Sequence, residues 1–173
     1  MIEHRITERG LRANEKADLK QFAETGAKLL KLTGNERPAA VVKLAQAYVR
    51  AWHKGGFFST LLKRRPDADV AAIVMGTVWG NQVVRKFGWE WTCLRRVDAG
   101  REDYAVVTKD RSLAIFPIEF VTSCLNDPRV DCTASLSFKV LEAGKLPKLP
   151  ERGYEDLMSA VRRATAPVTT TIT

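Results

Sequence analysis

The fold is decided by residues 66–117, which read PDADVAAIVMGTVWGNQVVRKFGWEWTCLRRVDAGREDYAVVTKDRSLAIFP. The first part of this stretch predicts a helix, because the small acidic side chains of Asp67 and Asp69 can accept hydrogen bonds from free N–H groups at a helix start. Gly88 supplies a suitable end. Between these points, apolar side chains recur at helical spacing: Val70, Ile73, Val74, Val78, Val84 and Phe87.

Two glycines lie four residues apart inside this predicted helix. Gly76 and Gly80 share one face, where the backbone of another element can approach closely. Each glycine costs about 1 kcal/mol relative to alanine, so packing has to offset the loss. The same spacing occurs in membrane helix dimers, but Arg85 and Lys86 and the acidic start leave no apolar run long enough for a bilayer. We therefore expect close packing inside the fold.

After Gly88 the apolar period changes from helical to alternating. The pattern predicts three strands joined by two short turns, and short connections make neighbouring strands antiparallel. We expect a three-stranded meander that buries one face on the preceding helix. The strands are placed at 89–94, 104–108 and 113–116, with turns at 98–102 and 109–112.

Trp89 and Trp91 fall on the same side of the first strand. One interpretation is an aromatic platform for bases, sugars or a peptide. We favour the core, because the surrounding sequence lacks the polar groups that a ligand pocket needs. Pro117 then begins a further helix, whose apolar face is Ile118, Val121, Cys124 and Leu125.

The N-terminal part predicts two amphipathic helices, one from Asn14 to about Lys31 and one from Asn35 and Pro38 to Gly55. The turn between them is short, which predicts an antiparallel helical hairpin. The first dozen residues are polar, and we expect them to be loosely ordered. The second helix has apolar positions at Val41, Val42, Leu44, Ala45, Tyr48, Val49 and Trp52.

The C-terminal part predicts a helix or a strand over 133–141, of which we favour the helix, and a helix over 154–164 after a proline-containing loop. The predicted fold class is α+β: an N-terminal helical hairpin, a long central helix, a three-stranded antiparallel meander and C-terminal helices. At 173 residues we expect a single domain. Its parts are 1–65 (basic hairpin and linker), 66–125 (helix and meander) and 126–173 (C-terminal loop and helix).

The net charge of +8 is distributed unevenly. Residues 1–65 hold 14 Lys or Arg and 6 acidic residues, whereas residues 66–173 hold 14 of each sign, so the whole excess belongs to the N-terminal part. Three cysteines without CxxC spacing argue against a disulfide framework. The polar start lacks a secretory signal, so we expect a cytoplasmic protein that does not enter a membrane.

Few residues are available for catalysis. The only histidines are His4 and His53, and neither forms a metal-binding or nucleophile motif with the cysteines or serines. We expect His53 to be a surface residue at a helix end, and we expect no metal, no cofactor and no enzymatic activity. Acidic residues of the meander turns leave an unrecognised hydrolase or transferase as an alternative. Arg95, Arg96 and Arg101 either bind an anion or pair with acids across the strands.

The central stretch resembles a group of small bacterial proteins of unknown function. In that group a helix with small residues precedes a Gly-Trp-x-Trp strand, and a strand, a proline and a short helix close the motif. The resemblance covers about Ala72 to Leu125 and uses Gly76, Gly80, Gly88, Trp89, Trp91, Phe116 and Pro117. Such domains resemble immunity proteins, which neutralise a toxin by capping it. The resemblance implies no catalytic residues.

Three interpretations of the basic N-terminal surface remain open. The cations can simply solvate two helices. They can bind an acidic protein, and here we expect an inhibitor or immunity protein that occludes a partner such as a toxin. They can instead bind nucleic acid. The contact residues predicted for the second and third interpretations are Lys43, Arg50, Lys54, Lys63, Arg64 and Arg65, with Arg95, Arg96 and Arg101 as a possible second surface.

Overall fold

The computed structural model describes residues 6–54, 66–96, 100–144 and 148–165. Within these ranges the chain is mixed α/β, with six α-helices, a short 3-10 helix (Trp52–Lys54) and one five-stranded sheet. The strands are β1 (Ile6–Arg9), β2 (Glu90–Arg96), β3 (Arg101–Val107), β4 (Leu113–Ile115) and β5 (Glu155–Asp156). The helices are α1 (Ala13–Leu29), α2 (Pro38–Ala51), α3 (Ala68–Phe87), α4 (Pro117–Asn126), α5 (Ala134–Glu142) and α6 (Leu157–Thr165).

The sheet has the strand order β1-β2-β3-β4-β5. The predicted meander forms its centre, since β2 pairs with β3 and β3 with β4 in antiparallel register. The prediction of three strands is wrong, because β1 adds antiparallel to β2 and β5 adds parallel to β4. Ile6 is the only large apolar residue of β1, and β5 has two residues, so neither strand carries the alternation that would predict it.

The central helix α3 begins and ends as predicted. The side chain of Asp67 accepts a hydrogen bond from the backbone N–H of Asp69 (2.8 Å), and Gly88 ends the helix with a left-handed φ of 68°. Val70 is 49% exposed, against the prediction that it faces the core. The buried residues of α3 point to all sides, which places the helix inside the fold: Ala71, Ala72, Val74, Met75, Gly76, Thr77, Val78, Trp79, Gly80 and Val83.

The helices α1, α2 and α4 all pack against α3. The predicted helices α1 and α2 are present, but they make few contacts with each other, so the predicted hairpin packing is wrong. The reason is that α3 has buried residues on several sides and offers each of them a side of its own. Helix α1 comes closest at Gly26, where an added Cβ would lie 2.2 Å from a methyl group of Val78.

The glycine face of α3 packs against α4 and β2. A Cβ at Gly76 would lie 2.7 Å from the Cα of Ile118, and a Cβ at Gly80 would lie 2.3 Å from the ring of Trp91. The predicted close approach is therefore confirmed, with backbone at one glycine and an aromatic ring at the other.

The two tryptophans of the Gly-Trp-x-Trp stretch belong to the main core. Trp89 is buried, and Trp91 is half-buried against the same cluster. The indole Nε1–H of Trp91 donates a hydrogen bond to Oδ1 of Asn81 on α3 (2.8 Å). The core interpretation is confirmed, because the ring and its polar atom are both engaged inside the protein.

The other face of the sheet is also buried, although we expected the meander to bury only the face that packs on the central helix. Its centre is a second apolar cluster of Leu94, Ala105, Val107, Ala114 and Phe116. Ile6 of β1 and Tyr154, which precedes β5, pack against this cluster. The two strands that the sequence did not predict, β1 and β5, therefore contribute residues that bury this second face of the sheet.

No helix in the described part of the chain combines the length and the apolar character that crossing a bilayer requires.

Candidate functional site

The predicted basic surface is built on α2, which begins with Pro38 in its first turn. The helix packs its apolar residues against α3, so the opposite side faces solvent. We define the α2 outer face as the six exposed residues on that side, continued into the 3-10 helix: Ala40, Lys43, Leu44, Ala47, Arg50 and Lys54.

Two properties distinguish the α2 outer face. Residues 38–54 contain no aspartate or glutamate, so the helix itself supplies no counter-charge. Leu44 is 42% exposed, although its position in the sequence predicted burial. It and Val70 are the exposed large apolar side chains of the described residues. The face therefore combines an apolar centre with cations.

Arg50 is paired with an acid from the C-terminal part of the chain. Its Nε and one terminal nitrogen donate to the two carboxylate oxygens of Asp131, each at 3.0 Å. The side chains of Arg50 and Asp131 are 49% and 64% exposed. Such an exposed pair contributes about 0–1 kcal/mol, so another carboxylate can replace Asp131 at little cost.

The other predicted contact residues divide into two groups. Lys43 and Lys54 are exposed and form no ion pair with the residues that the structure describes. Lys63, Arg64 and Arg65 lie outside the described residues.

A cavity of about 310 Å³ opens at the C-terminal end of α2. Arg50, His53 and Lys54 line it from α2 and the 3-10 helix, and residues of α4 and of the segment after it form the other wall. That wall consists of Cys124, Pro128, Val130, Asp131 and Cys132. Among the described residues, no cluster of three or more His, Cys, Asp or Glu could hold a metal ion.

His53 is exposed, as predicted for a surface residue at a helix end. Its Nε2 lies 2.9 Å from the carbonyl oxygen of Cys124. A carbonyl oxygen only accepts, so Nε2 carries the proton in this contact. The bond joins the 3-10 helix after α2 to the last turn of α4, at one edge of the cavity.

The thiols of Cys124 and Cys132 are both buried in this wall. A hydrogen bond from the Cys124 side chain lowers the pKa of Cys132, and the backbone N–H of Ala134 and the charge of Arg50 act in the same direction against burial. Cys93, the third thiol, lies elsewhere, and burial raises its pKa. The two environments differ first because Cys132 receives the hydrogen bond from Cys124, and second because Ala134 begins α5, where a free N–H stabilises a thiolate.

The arginines of the possible second surface are largely engaged in ion pairs. Arg96 contacts Asp103 (3.1 Å) and Glu119 (2.8 Å), and Arg101 contacts the same two carboxylates (3.2 and 2.8 Å). Pairing across the strands is confirmed for Arg96 with Asp103, whereas Arg101 pairs with Asp103 of its own strand and with Glu119 of α4. Arg95 is exposed and lies opposite Glu102 in the β2–β3 pair. Arg96 and Arg101 therefore form a closed network with Glu119 of α4.

Carboxylates of the meander also have partners within the fold. Glu102 binds the guanidinium of Arg9. Hydrogen bonds from Thr108 and Ser112 lower the pKa of Asp110, which acts as a turn former. The acids available to the hydrolase or transferase alternative thus sit in structural contacts.

Two ion-pair networks around β1 had no signal in the sequence. Arg9 bridges Glu15 of α1 (2.8 Å) and Glu102 of β3. Arg111 contacts Glu8 and Glu90, and the hydroxyl of Tyr154 donates to Glu8 (2.7 Å). These partners are far apart in sequence, so only the addition of β1 to the sheet brings them together.

No family model matches this chain, and neither a curated protein nor a solved structure is significantly similar to it. The resemblance of residues 72–125 to small immunity-like bacterial proteins therefore stays a prediction.

Proposed function

We propose that this protein binds another protein and acts as an inhibitor or immunity protein that occludes an acidic partner, such as a toxin. The observation that carries the proposal is the α2 outer face, where Leu44 stands exposed among cations on a helix without acidic residues.

The arrangement of the face favours a protein as the ligand. Ala40, Lys43, Leu44 and Ala47 are spaced i, i+3, i+4 and i+7, so they share one stripe of the helix. Small side chains beside an exposed leucine form a shallow apolar strip, and cations flank it. Protein interfaces have this composition, with an apolar centre that excludes water and a charged rim that selects the partner. A phosphate backbone offers nothing apolar for Leu44.

Arg50 adds to this contact by exchanging partners. An incoming carboxylate replaces Asp131, because the existing pair is exposed and weak. Removing the charge of Asp131 therefore frees Arg50 and strengthens binding, whereas reversing the charge of Lys43 and Lys54 weakens it. Opposite effects of these two changes are specific to an acidic ligand on this face.

The test is affinity capture with the tagged full-length protein from extract of the cells that produce it. We compare wild type, Lys43→Glu with Lys54→Glu, Asp131→Asn, and the control Lys20→Glu, which changes an exposed lysine of α1. We expect wild type and the control to retain the same acidic protein. The double variant loses it, and Asp131→Asn retains more of it as salt is raised.

Two outcomes would overturn the proposal. One is capture that is unchanged in the double variant. The other is that labelled single- or double-stranded oligonucleotides bind at low salt through Lys43 and Lys54 while no acidic protein is retained, which would establish the nucleic-acid alternative.

A further inference from the structure

We propose that Cys124 and Cys132 form a redox-active thiol pair whose substrate is a small disulfide bearing carboxylate groups. This inference does not require the proposed protein partner, because it rests on the cavity and its thiols, although Arg50 and Lys54 belong to both the cavity and the α2 outer face.

The end of α4 and the start of α5 bring the two cysteines to the same part of the structure. Cys124 lies in the last turn of α4, and Cys132 lies two positions before α5, so the short connection between the helices returns the chain to the same wall. Both residues line the cavity, and their side chains are in hydrogen-bond contact. This contact makes the two thiols the candidate pair for a disulfide, the bond that the proposal requires.

Cys132 is the nucleophile of the pair. The Cys124 thiol, the Ala134 N–H and the Arg50 guanidinium lower its pKa, and they outweigh burial and the charge of Asp131, which act in the opposite direction. The thiolate is the form that attacks a disulfide. In the proposed sequence Cys124 acts second, as the resolving thiol.

Both cysteines are only 2% exposed, so the cavity is the route by which a reagent would have to reach them. Its volume of about 310 Å³ is at the lower end of the range for small-molecule sites, roughly 300–1,000 Å³. Arg50, His53 and Lys54 stand at its exposed side, so the approach is basic. Asp131 forms an ion pair with Arg50, but the pair is exposed, so the charge of Arg50 is only weakly neutralised. An acidic small disulfide is therefore favoured over a cationic one.

The reaction balances in two exchange steps. The Cys132 thiolate attacks one sulfur of the small disulfide, a mixed disulfide forms, and the other half leaves as a thiolate that takes up a proton. Cys124 then loses its proton and attacks the Cys132 sulfur, so the Cys124–Cys132 bond forms and the second half leaves as a thiol. The protein loses two hydrogens, and the small disulfide is reduced to two thiols.

The test uses the folded, reduced full-length protein and three disulfides: oxidised glutathione (acidic), hydroxyethyl disulfide (neutral) and cystamine (cationic). Intact mass and peptide mapping follow the products. We expect glutathione disulfide to react fastest, to produce the Cys124–Cys132 disulfide, and to lose its advantage over cystamine at high salt. In Cys124→Ser the reaction should stop at one glutathione on Cys132, and Cys132→Ser should not react.

Cys93→Ser is the matched control, since it also removes a buried thiol, and it should react like wild type. In wild type, without any substitution, a small alkylating reagent should label Cys132 at least about tenfold faster than Cys93. The proposal is overturned if Cys93 is labelled as fast as Cys132, if Cys132→Ser still reacts, or if cystamine reacts as fast as glutathione disulfide at low salt.

Discussion

At the scale of single residues, Gly76 shows how little room the fold leaves around α3. The nearest atoms to an added Cβ are backbone atoms of Pro117 and Ile118, at 2.7–2.9 Å, and backbone cannot rotate away as a side chain can. The absence of a side chain is therefore a packing requirement at this position and not a matter of helix propensity.

We expect Gly76→Ala to destabilise the protein. Alanine would gain about 1 kcal/mol in a free helix, but displacing α4 costs about 1–3 kcal/mol as overpacking, so the free energy of unfolding falls or at best stays level. Chemical denaturation measures it. Val70→Ala, at an exposed position in the first turn of the same helix, is the control and should change stability by less than about 0.5 kcal/mol. A clear stabilisation by Gly76→Ala would contradict the packing described here.

Glu15 provides a pH-dependent contribution to stability. Hydrogen bonds from Arg9 and from the Arg12 backbone N–H lower its pKa from 4.5 to about 2. A lowered pKa means that the carboxylate stabilises the fold above its ordinary pKa, and that this stability is lost as the pH falls from about 4.5 towards 2.

Glu15→Gln should therefore be less stable than wild type at pH 7, and the difference should shrink on acidification through that window. Urea denaturation at several pH values measures the difference, with Glu24→Gln as the control on the exposed side of α1. An equal difference at pH 7 and pH 2.5 would show that the charge of Glu15 does not act through this pKa.

At the scale of elements, the sequence predicted those helices and strands that a local pattern of residues defines. The ends of α3 follow from Asp67 and Gly88, and the meander follows from alternating strands between short turns. Strands β1 and β5 could not be predicted, because they are short and polar and gain their stability from the neighbours they join. The hairpin packing was wrong because α3, another element, has buried residues on several sides and so decides where α1 and α2 lie.

The candidate site was also predictable only as far as local pattern reaches. The helical period of α2 placed Lys43, Arg50 and Lys54 on the solvent side. It could not indicate that Asp131 pairs with Arg50 or that Cys124 and Cys132 meet, because those contacts depend on how α4 and α5 return to α2.

The contact between α3 and β2 predicts a coupling between two residues. A Cβ at Gly80 would collide with the outer ring of Trp91, which Trp91→Leu removes. Gly80→Ala should therefore cost less in the Trp91→Leu background than in wild type, with a coupling energy of about 1–2 kcal/mol. A double-mutant cycle by denaturation measures this. Strict additivity would mean that the two residues do not limit each other.

At the scale of the whole molecule, the charge asymmetry is partly compensated across the fold. Asp131 and Glu102, from the balanced part of the chain, pair with Arg50 and Arg9 of the basic part. Lys43 and Lys54 form no ion pair among the described residues. Lys43 and Lys54 therefore keep their charge on the face where Leu44 is exposed, and this coincidence is the basis of the proposed docking of an acidic protein.

The most direct measurement is site-specific photo-crosslinking in the producing cells, with a photoreactive residue in place of Ala47 on the α2 outer face or of the exposed Thr25 on α1. The account predicts one adduct with an acidic protein from position 47, lost when Lys43 and Lys54 are reversed in charge, and no such adduct from position 25. Equal adducts from both positions, no adduct from position 47, or an adduct with nucleic acid there would contradict it.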